Sequence, residues 1–256
     1  MKFVRSKRSA ADCYIFGKHT VDLAIERRLD TIKTVFISDR FTDERIMAKL
    51  RRANVTIRPL DDRRLPREVP AGANHQGIVA VVCVDTLVQS YQRYMKEATV
   101  SDDSLFLILS EVQDPQNVGA MIRSAAAFGV QAVLLPTHQQ APITGTVAKV
   151  SAGMVFTVPI VEIKNTNTTI TDLQQRGVRV YGLAGEGQES IHEADFTTPT
   201  AIVVGNEGKG LREKTRSLCD ALVRIPTHPR CESLNAAASV AVGLAIWSAK
   251  HQSIVQ

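Results

Sequence analysis

Residues 105–256 alternate between short apolar runs and segments with helical spacing, and this alternation most restricts how the chain can fold. The predicted strands are 106–112, 131–136, 155–163, 178–184, 200–205 and 221–226. The predicted helices are 118–128, 145–151, 169–175, 209–218 and 235–250. Apolar strands separated by helices predict an α/β domain, in which helices cover both faces of a parallel sheet. Ligands of such sheets bind beyond the carboxyl ends of the strands.

A smaller α/β unit precedes this region. Its predicted strands are 33–38, 54–60 and 78–84, and its predicted helices are 19–29 and 43–53. Residues 85–104 contain few candidates for a core, which is typical of a linker. We therefore expect an N-terminal domain over residues 1–84, a linker over residues 85–104 and a C-terminal domain over residues 105–256.

The excess positive charge lies in the first third of the chain. Residues 1–90 contain 17 Lys and Arg against 11 Asp and Glu, whereas residues 91–256 contain 14 against 15. This asymmetry predicts that the N-terminal domain meets a polyanionic partner.

Several classes of protein are excluded by composition and patterning. The longest apolar run, Ala236 to Trp247, is shorter than the roughly 20 residues that a membrane span needs. The basic start of the chain has no apolar segment after it, so we expect no secretory signal. The four cysteines are scattered and form no metal-binding pattern, which indicates reduced thiols in a cytoplasmic protein without a metal site.

The first chemically informative segment, SEVQDPQNVGAMIRSAAAFG, covers residues 110–129. Asp114-Pro115 predicts a turn, and Asn117 is expected to be the N-cap of the following helix. Arg123 lies one turn after Gly119 and off the apolar stripe of that helix. Taken alone, a capped helix with one exposed arginine is an ordinary structural feature.

The second segment, AIVVGNEGKGL, covers residues 201–211 and places three glycines after a buried strand. Glycine permits positive φ and a close approach of the backbone to a ligand, although a tight turn would explain the cluster equally well. The segment lacks the P-loop pattern, and the chain has no GxGxxG after a strand, so a dinucleotide fold has no support.

The third segment, VRIPTHPRCESLNAAASVAVG, covers residues 223–243. A strand ends at Ile225-Pro226, a polar loop follows, and Asn235 precedes a helix that begins with small residues. Such a helix predicts close packing against another element, a ligand or both.

Together, in this order and spacing, the patterns DPxNxGAxxRSAxxFG, VVGNEGxGL and IPxxxxxxSLNxxxSVAxG closely resemble the three motifs of the SpoU (TrmH) family. That family consists of RNA ribose 2′-O-methyltransferases of the SPOUT class. The N-terminal segments Gly17-Lys18-His19 and Asn74-His75-Gln76-Gly77 are similar to the substrate-binding domain of bacterial 23S rRNA guanosine-2′-O-methyltransferases, a domain with a ribosomal L30-like fold.

The resemblance implies a SPOUT-type parallel sheet with a deep trefoil knot, a feature that general packing rules do not predict. It also implies S-adenosyl-L-methionine as the cofactor, RNA as a partner and a homodimer formed through the C-terminal domain. By motif, the residues that bind the cofactor are Leu183, Gly205, Ile225 and Leu234.

The catalytic residues implied by the same motifs are Asn117, Arg123, Glu207, Ser233 and Asn235. The implied reaction transfers a methyl group from the sulfonium of S-adenosyl-L-methionine to a ribose 2′-hydroxyl. It is an in-line displacement and requires no metal. Arg123 is expected to bind the phosphate beside the target ribose and to assist deprotonation. Because a guanidinium stays protonated and is a poor base, charge stabilisation is the role that its chemistry favours. Glu207 and Asn117 are expected to hold the loops and the arginine in position.

Two alternatives stay open at this point. The chain could bind RNA without methylating it, or it could methylate transfer RNA. The retained motif residues favour an enzyme, and the separate N-terminal domain favours a guanosine of 23S rRNA as the substrate. The loop over residues 227–232, THPRCE, departs from the glycine-containing segment of related enzymes and leaves the modified nucleotide undetermined.

Overall fold

The structure is a computed structural model that describes residues 12–70 and 72–251. Residues 1–11, on which the expectation of no secretory signal rests, lie outside the described residues, as do Ala71 and the last five residues.

Two sheets organise the described residues. The first has four strands in the order β1-β4-β2-β3, and β4 pairs antiparallel with both β1 and β2. Its strands are β1 (Asp12–Phe16), β2 (Ile32–Ile37), β3 (Ile57–Pro59) and β4 (Ile78–Cys83), with helices α1 (Lys18–Arg27) and α2 (Glu44–Arg52) and a 3-10 helix at Leu29–Thr31. The three strands predicted for this region are present. The sequence analysis missed β1, whose five residues are defined by their register with β4.

The second sheet has eight strands in the order β10-β12-β9-β11-β6-β7-β8-β5, and every pair in it is parallel. The strands are β5 (Val88–Ser90), β6 (Leu105–Leu109), β7 (Ala132–Pro136), β8 (Ile160–Ile163), β9 (Arg179–Leu183), β10 (Glu189–Ser190), β11 (Thr200–Val204) and β12 (Ala221–Arg224). The prediction of a parallel α/β sheet is confirmed.

Helices cover both faces of this second sheet. They are α3 (Val84–Leu87), α4 (Tyr91–Glu97), α5 (Pro115–Ala127), α6 (Gly145–Val150), α7 (Thr166–Gln175), α8 (Glu213–Leu218) and α9 (Ala236–Lys250), with a 3-10 helix at Met154–Phe156. In β6, Leu105, Leu107 and Leu109 pack into the core that contains α5 and α9, and Phe106 and Ile108 pack into the core that contains α7. Both faces are apolar because both are buried.

Three details differ from the sequence analysis. The strand predicted from residue 155 begins only at Ile160, after the 3-10 helix. The helix predicted from residue 209 begins at Glu213, because a bridge between Asn206 and Gly210 keeps the glycine-rich segment in a loop. The expected linker is structured: β5 extends the large sheet beside β8, and Met95 is buried against that sheet.

The two sheets meet where α6 contacts β1. Gly145, the first residue of α6, lies so close to Tyr14 that an added Cβ would overlap the Tyr14 carbonyl oxygen. The Lys149 ammonium lies 4.8 Å from the centre of the Phe16 ring. No helix among the described residues is long and apolar enough to cross a membrane. The trefoil knot that the resemblance implies stays a prediction.

Candidate active site

A pocket of about 230 Å³ opens beyond the carboxyl ends of β9, β11 and β12. Its walls include all four residues that the motifs assigned to cofactor binding, which are Leu183, Gly205, Ile225 and Leu234. The location is the one expected for a ligand of a parallel sheet. The site is therefore built from the loops that follow three neighbouring strands.

The glycine-rich loop after β11 folds back on itself, which explains its composition. Gly205 has so little space that an added Cβ would overlap the carbonyl carbon of Gly210. The Asn206 amide donates to the Gly210 oxygen at 3.1 Å, and the Gly210 amide donates to the Asn206 oxygen at 2.8 Å. The Asn206 side-chain oxygen accepts from the amides of Gly208 and Lys209. This closed loop forms one wall of the pocket.

A hydrogen-bonded network joins the three sequence motifs beside this pocket. The Asn117 side-chain nitrogen donates to Glu207 Oε1 at 3.0 Å, and the Asn235 side-chain nitrogen donates to Asn117 Oδ1 at 3.0 Å. Asn235 Oδ1 in turn accepts from the amides of Ala237 and Ala238 and so caps α9. The structure thus brings together three of the five predicted catalytic residues.

Glu207 determines which atoms donate and which accept in the hydrogen bonds of this network. Partial burial would raise the pKa of its carboxyl group, but hydrogen bonds from Asn117 and from the amides of Asp114 and Gln113 outweigh that effect and lower the pKa below its ordinary value. An ionised carboxylate only accepts hydrogen bonds, so the amide nitrogen of Asn117 must face it. The oxygen of Asn117 then faces Asn235.

The expected N-cap at Asn117 is wrong. The cap of α5 is Asp114, whose side chain accepts from the Gln116 amide at 2.8 Å, and the helix begins at Pro115. Proline suits the first helical position because its φ is preset and that position needs no amide hydrogen. Asn117 is consequently inside the first turn, where its buried side chain is free to join the network.

Ser233 lies between two cavities. It lines the first pocket and also an adjoining cavity of about 580 Å³, whose walls include Asn117, Glu207 and Asn235. Leu234, which is 37% exposed, lines both cavities as well. The site therefore has one narrower compartment and one wider, more open compartment that share a wall.

The sequence matches the model of the SpoU rRNA Methylase family over residues 104–245. The chain belongs to this family. Residues 14–83 match a second family model, described as RNA 2′-O ribose methyltransferase substrate binding.

Individual relatives agree with this SpoU assignment over most of the chain. The chain is 35% identical to the 23S rRNA (guanosine-2′-O-)-methyltransferase RlmB of Vibrio parahaemolyticus, over 94% of this chain and 97% of the relative. It is 36% identical to the RlmB protein of Xanthomonas campestris, with the same coverage. The SpoU methyltransferase AviRb of Streptomyces viridochromogenes, solved with AdoMet, has the same fold, with a TM-score of 0.81, 23% identity and coverage of 94% of this chain and 91% of that one.

Arg123, the remaining SpoU motif residue, lies apart from the network. It is exposed on α5, and it lines neither the pocket nor the adjoining cavity. Within the described part of the chain it forms no ion pair. The structure of one chain thus places Arg123 on the outer surface of the helix whose first turn carries Asn117.

The sequence analysis did not single out Glu111, which supports the loops of the site from outside the pocket. Its φ of 68° is in the left-handed region, which is uncommon for a residue with a side chain. Its carbonyl oxygen accepts from the Asn206 side chain at 3.0 Å, and its carboxylate pairs with Arg212 at 2.7 Å. These contacts tie the loop after β6 to the loop after β11, and no spacing in the sequence indicates them.

Proposed function

We propose that this protein transfers a methyl group from S-adenosyl-L-methionine to a ribose 2′-hydroxyl of RNA, and that the target is a guanosine of 23S rRNA. The observation that carries the proposal is the junction of the pocket after β9, β11 and β12 with the network of Glu207, Asn117 and Asn235. The RlmB proteins that the chain resembles over 94% of its length support the choice of substrate.

The pocket suits the proposed cofactor. Leu183, Ile225 and Leu234 offer apolar walls to a flat base, and the backbone at Gly205 approaches closely because no Cβ is present. When bound there, S-adenosyl-L-methionine supplies a methyl group on a positively charged sulfur. The closed loop after β11 holds the pocket wall rigid, which fixes the position of the ligand before the reaction.

The network beside the pocket holds side chains and the start of α9 in position, and it does not remove the proton of the ribose 2′-hydroxyl. Glu207 is ionised and already accepts several hydrogen bonds, so it is a weak base. Its effect is to fix Asn117, which fixes Asn235 and through it the start of α9. We assign Ser233 and Asn235 to the wall along which the ribose enters, since both line the wide cavity.

Arg123 is assigned to the RNA phosphate beside the target ribose. Its exposed guanidinium is permanently charged, so it stabilises negative charge and is a poor proton acceptor. The 2′-oxygen attacks the methyl carbon, the bond from that carbon to sulfur breaks, and the hydroxyl proton passes to solvent or to an RNA phosphate oxygen.

A homodimer through the C-terminal domain is part of the proposal. Helix α9 is apolar around most of its circumference, and one of its faces is open in the single chain. Its half-buried or exposed residues at helical spacing are Ala238, Ala241, Val242, Ala245 and Ala249. A second copy would bury this face. Sedimentation of the purified protein at micromolar concentration tests the dimer directly.

Methylation of an unmodified 23S rRNA transcript tests the function. The purified protein is incubated with labelled S-adenosyl-L-methionine, and modified sites are mapped by mass spectrometry. We expect one 2′-O-methylguanosine. Absence of S-adenosyl-L-methionine uptake in calorimetry, together with absence of RNA methylation, would favour an RNA-binding protein without this activity. Methylation of transfer RNA alone would overturn the proposed substrate.

A further inference from the structure

Two adjoining cavities lie on either side of the start of α7 and share the side chain of Lys164. The first, of about 250 Å³, opens between Glu111, His138 and Arg212. The second, of about 440 Å³, opens between α4 and α7 beside Lys96. We refer to the two together as the α7 groove. It is separate from the pocket after β9, β11 and β12.

The α7 groove lies on the same edge of the sheet as the candidate active site. Its residues Ser110, His138 and Lys164 follow the carboxyl ends of β6, β7 and β8. In the strand order, β11 borders the active site and β8 is three strands away. Strands are spaced by about 4.8 Å, so Lys164 lies about 14 Å from the glycine-rich loop along this edge. This distance is within reach of nucleotides adjacent to the target ribose.

The uncompensated charge of the groove is positive. The two acids that line it are already paired, Glu111 with Arg212 at 2.7 Å and Asp172 with Arg176 at 2.8 Å. Asp172 also accepts from the Tyr91 hydroxyl at 2.6 Å. Lys96 and Lys164 are exposed, and neither forms an ion pair within residues 12–70 and 72–251.

The remaining lining favours a hydrogen-bonding polyanion. Gln139, Thr166 and Asn167 present amide and hydroxyl groups to the first cavity, and Gln92 and Thr168 do so in the second. An ammonium group is a compact point charge that suits phosphate without requiring a base-specific geometry. Tyr91 and Met95 add apolar surface to the second cavity beside these polar groups.

We propose that the α7 groove binds the phosphates of the RNA strand that flanks the methylated ribose, with Lys96 and Lys164 as the contacting cations. This inference rests on the proposed function and adds to it a route for the RNA across the C-terminal domain. RNA would then contact two surfaces. The basic N-terminal unit binds a distant part of the RNA, and the α7 groove aligns the strand near the target ribose.

The test compares the wild-type protein with Lys164→Gln and with the double variant Lys96→Gln/Lys164→Gln. Arg179→Gln is the matched control, since it removes one positive charge at the amino end of β9, on the opposite edge of the sheet. The probe is an unmodified 23S rRNA transcript, and both KM and kcat for methylation are measured between 50 and about 200 mM salt.

We expect KM for RNA to rise on the order of fivefold for each lysine removed, with kcat at saturating RNA and the affinity for S-adenosyl-L-methionine unchanged. The slope of log affinity against log salt should become shallower by about 0.7 for each lysine. The control should match the wild type in every measurement.

Other results separate the two proposals. If the wild-type protein methylates the transcript and the double variant has the same KM and salt slope, the groove does not bind RNA. If the lysine variants lower affinity no more than Arg179→Gln does, the effect is only net charge, and the groove is again excluded. Absence of methylation by the wild-type protein contradicts the proposed function itself. In that case, binding of the transcript is measured directly. If its salt dependence is the same in the double variant as in the wild type, the proposal that the α7 groove binds RNA is overturned as well.

Discussion

Replacing Asn117 by aspartate tests whether Asn117 donates its hydrogen bond to Glu207, because the resulting loss of stability should depend on pH. In the protein, the Asn117 side-chain nitrogen donates to Glu207 Oε1 at 3.0 Å. Asn117→Asp puts a second carboxylate at this distance and keeps the size of the side chain. Two unit charges 3.0 Å apart repel by about 1.4 kcal/mol in water and by about 5.5 kcal/mol at an effective dielectric constant of 20.

The expected loss lies between these limits because Asn117 is buried whereas Glu207 is exposed. We expect Asn117→Asp to lower the free energy of unfolding by about 2–4 kcal/mol at pH 8. Repulsion raises the pKa of one carboxyl of the pair in the folded state. The destabilisation is therefore complete above that raised pKa and declines as the pH falls to 5, where the pair shares one proton and regains a hydrogen bond.

Urea unfolding at pH 8 and at pH 5 measures this, with Asn117→Ala as the control. The control loses the hydrogen bonds without adding charge, at a cost of about 1–2 kcal/mol. In the wild type, the lowered pKa of Glu207 contributes stability that is present above its unfolded pKa of about 4.3 and is lost as the pH falls through the folded pKa. The difference in the free energy of unfolding between the wild type and Asn117→Ala should therefore be the same at pH 5 and at pH 8. An equal loss at both pH values in Asn117→Asp would refute the reasoning.

Three further substitutions test the packing and the site. Gly205→Ala should lower the melting temperature by about 5–10 °C because its Cβ overlaps backbone, whereas Gly185→Ala, with open space around it, should leave it unchanged. Gly145→Ala should separate α6 from Tyr14, and we expect RNA methylation to fall about 10–100-fold with cofactor affinity intact, as kinetics and calorimetry would show. Arg123→Ala should lower kcat/KM for RNA about 100-fold with stability unchanged within about 0.5 kcal/mol, and near-normal turnover with intact cofactor binding would exclude its assigned role.

The sequence by itself determined the class of fold and most of its elements. Buried strands such as β6 and β11 are continuous apolar runs, and the helices between them repeat at helical spacing, so local patterns suffice to find them. The resemblance to the SpoU family also indicated four of the residues that line the pocket. Short strands could not be predicted in this way. β1 is defined by its pairing with β4, and β5 has only three residues and is defined by its pairing with β8.

Tertiary structure alone decided how the site is assembled. Glu207 bonds to Asn117 across 90 residues, and Asn235 bonds to Asn117 across 118, so no local periodicity relates these side chains. The order of the strands brings β6, β9, β11 and β12 together and thereby the loops that carry these residues. The same order placed Lys164 at the same edge of the sheet as the active site, three strands from β11, and Arg123 is exposed on α5. Spacing along a chain reports which face a residue occupies, whereas contact between distant segments follows from how the strands pack.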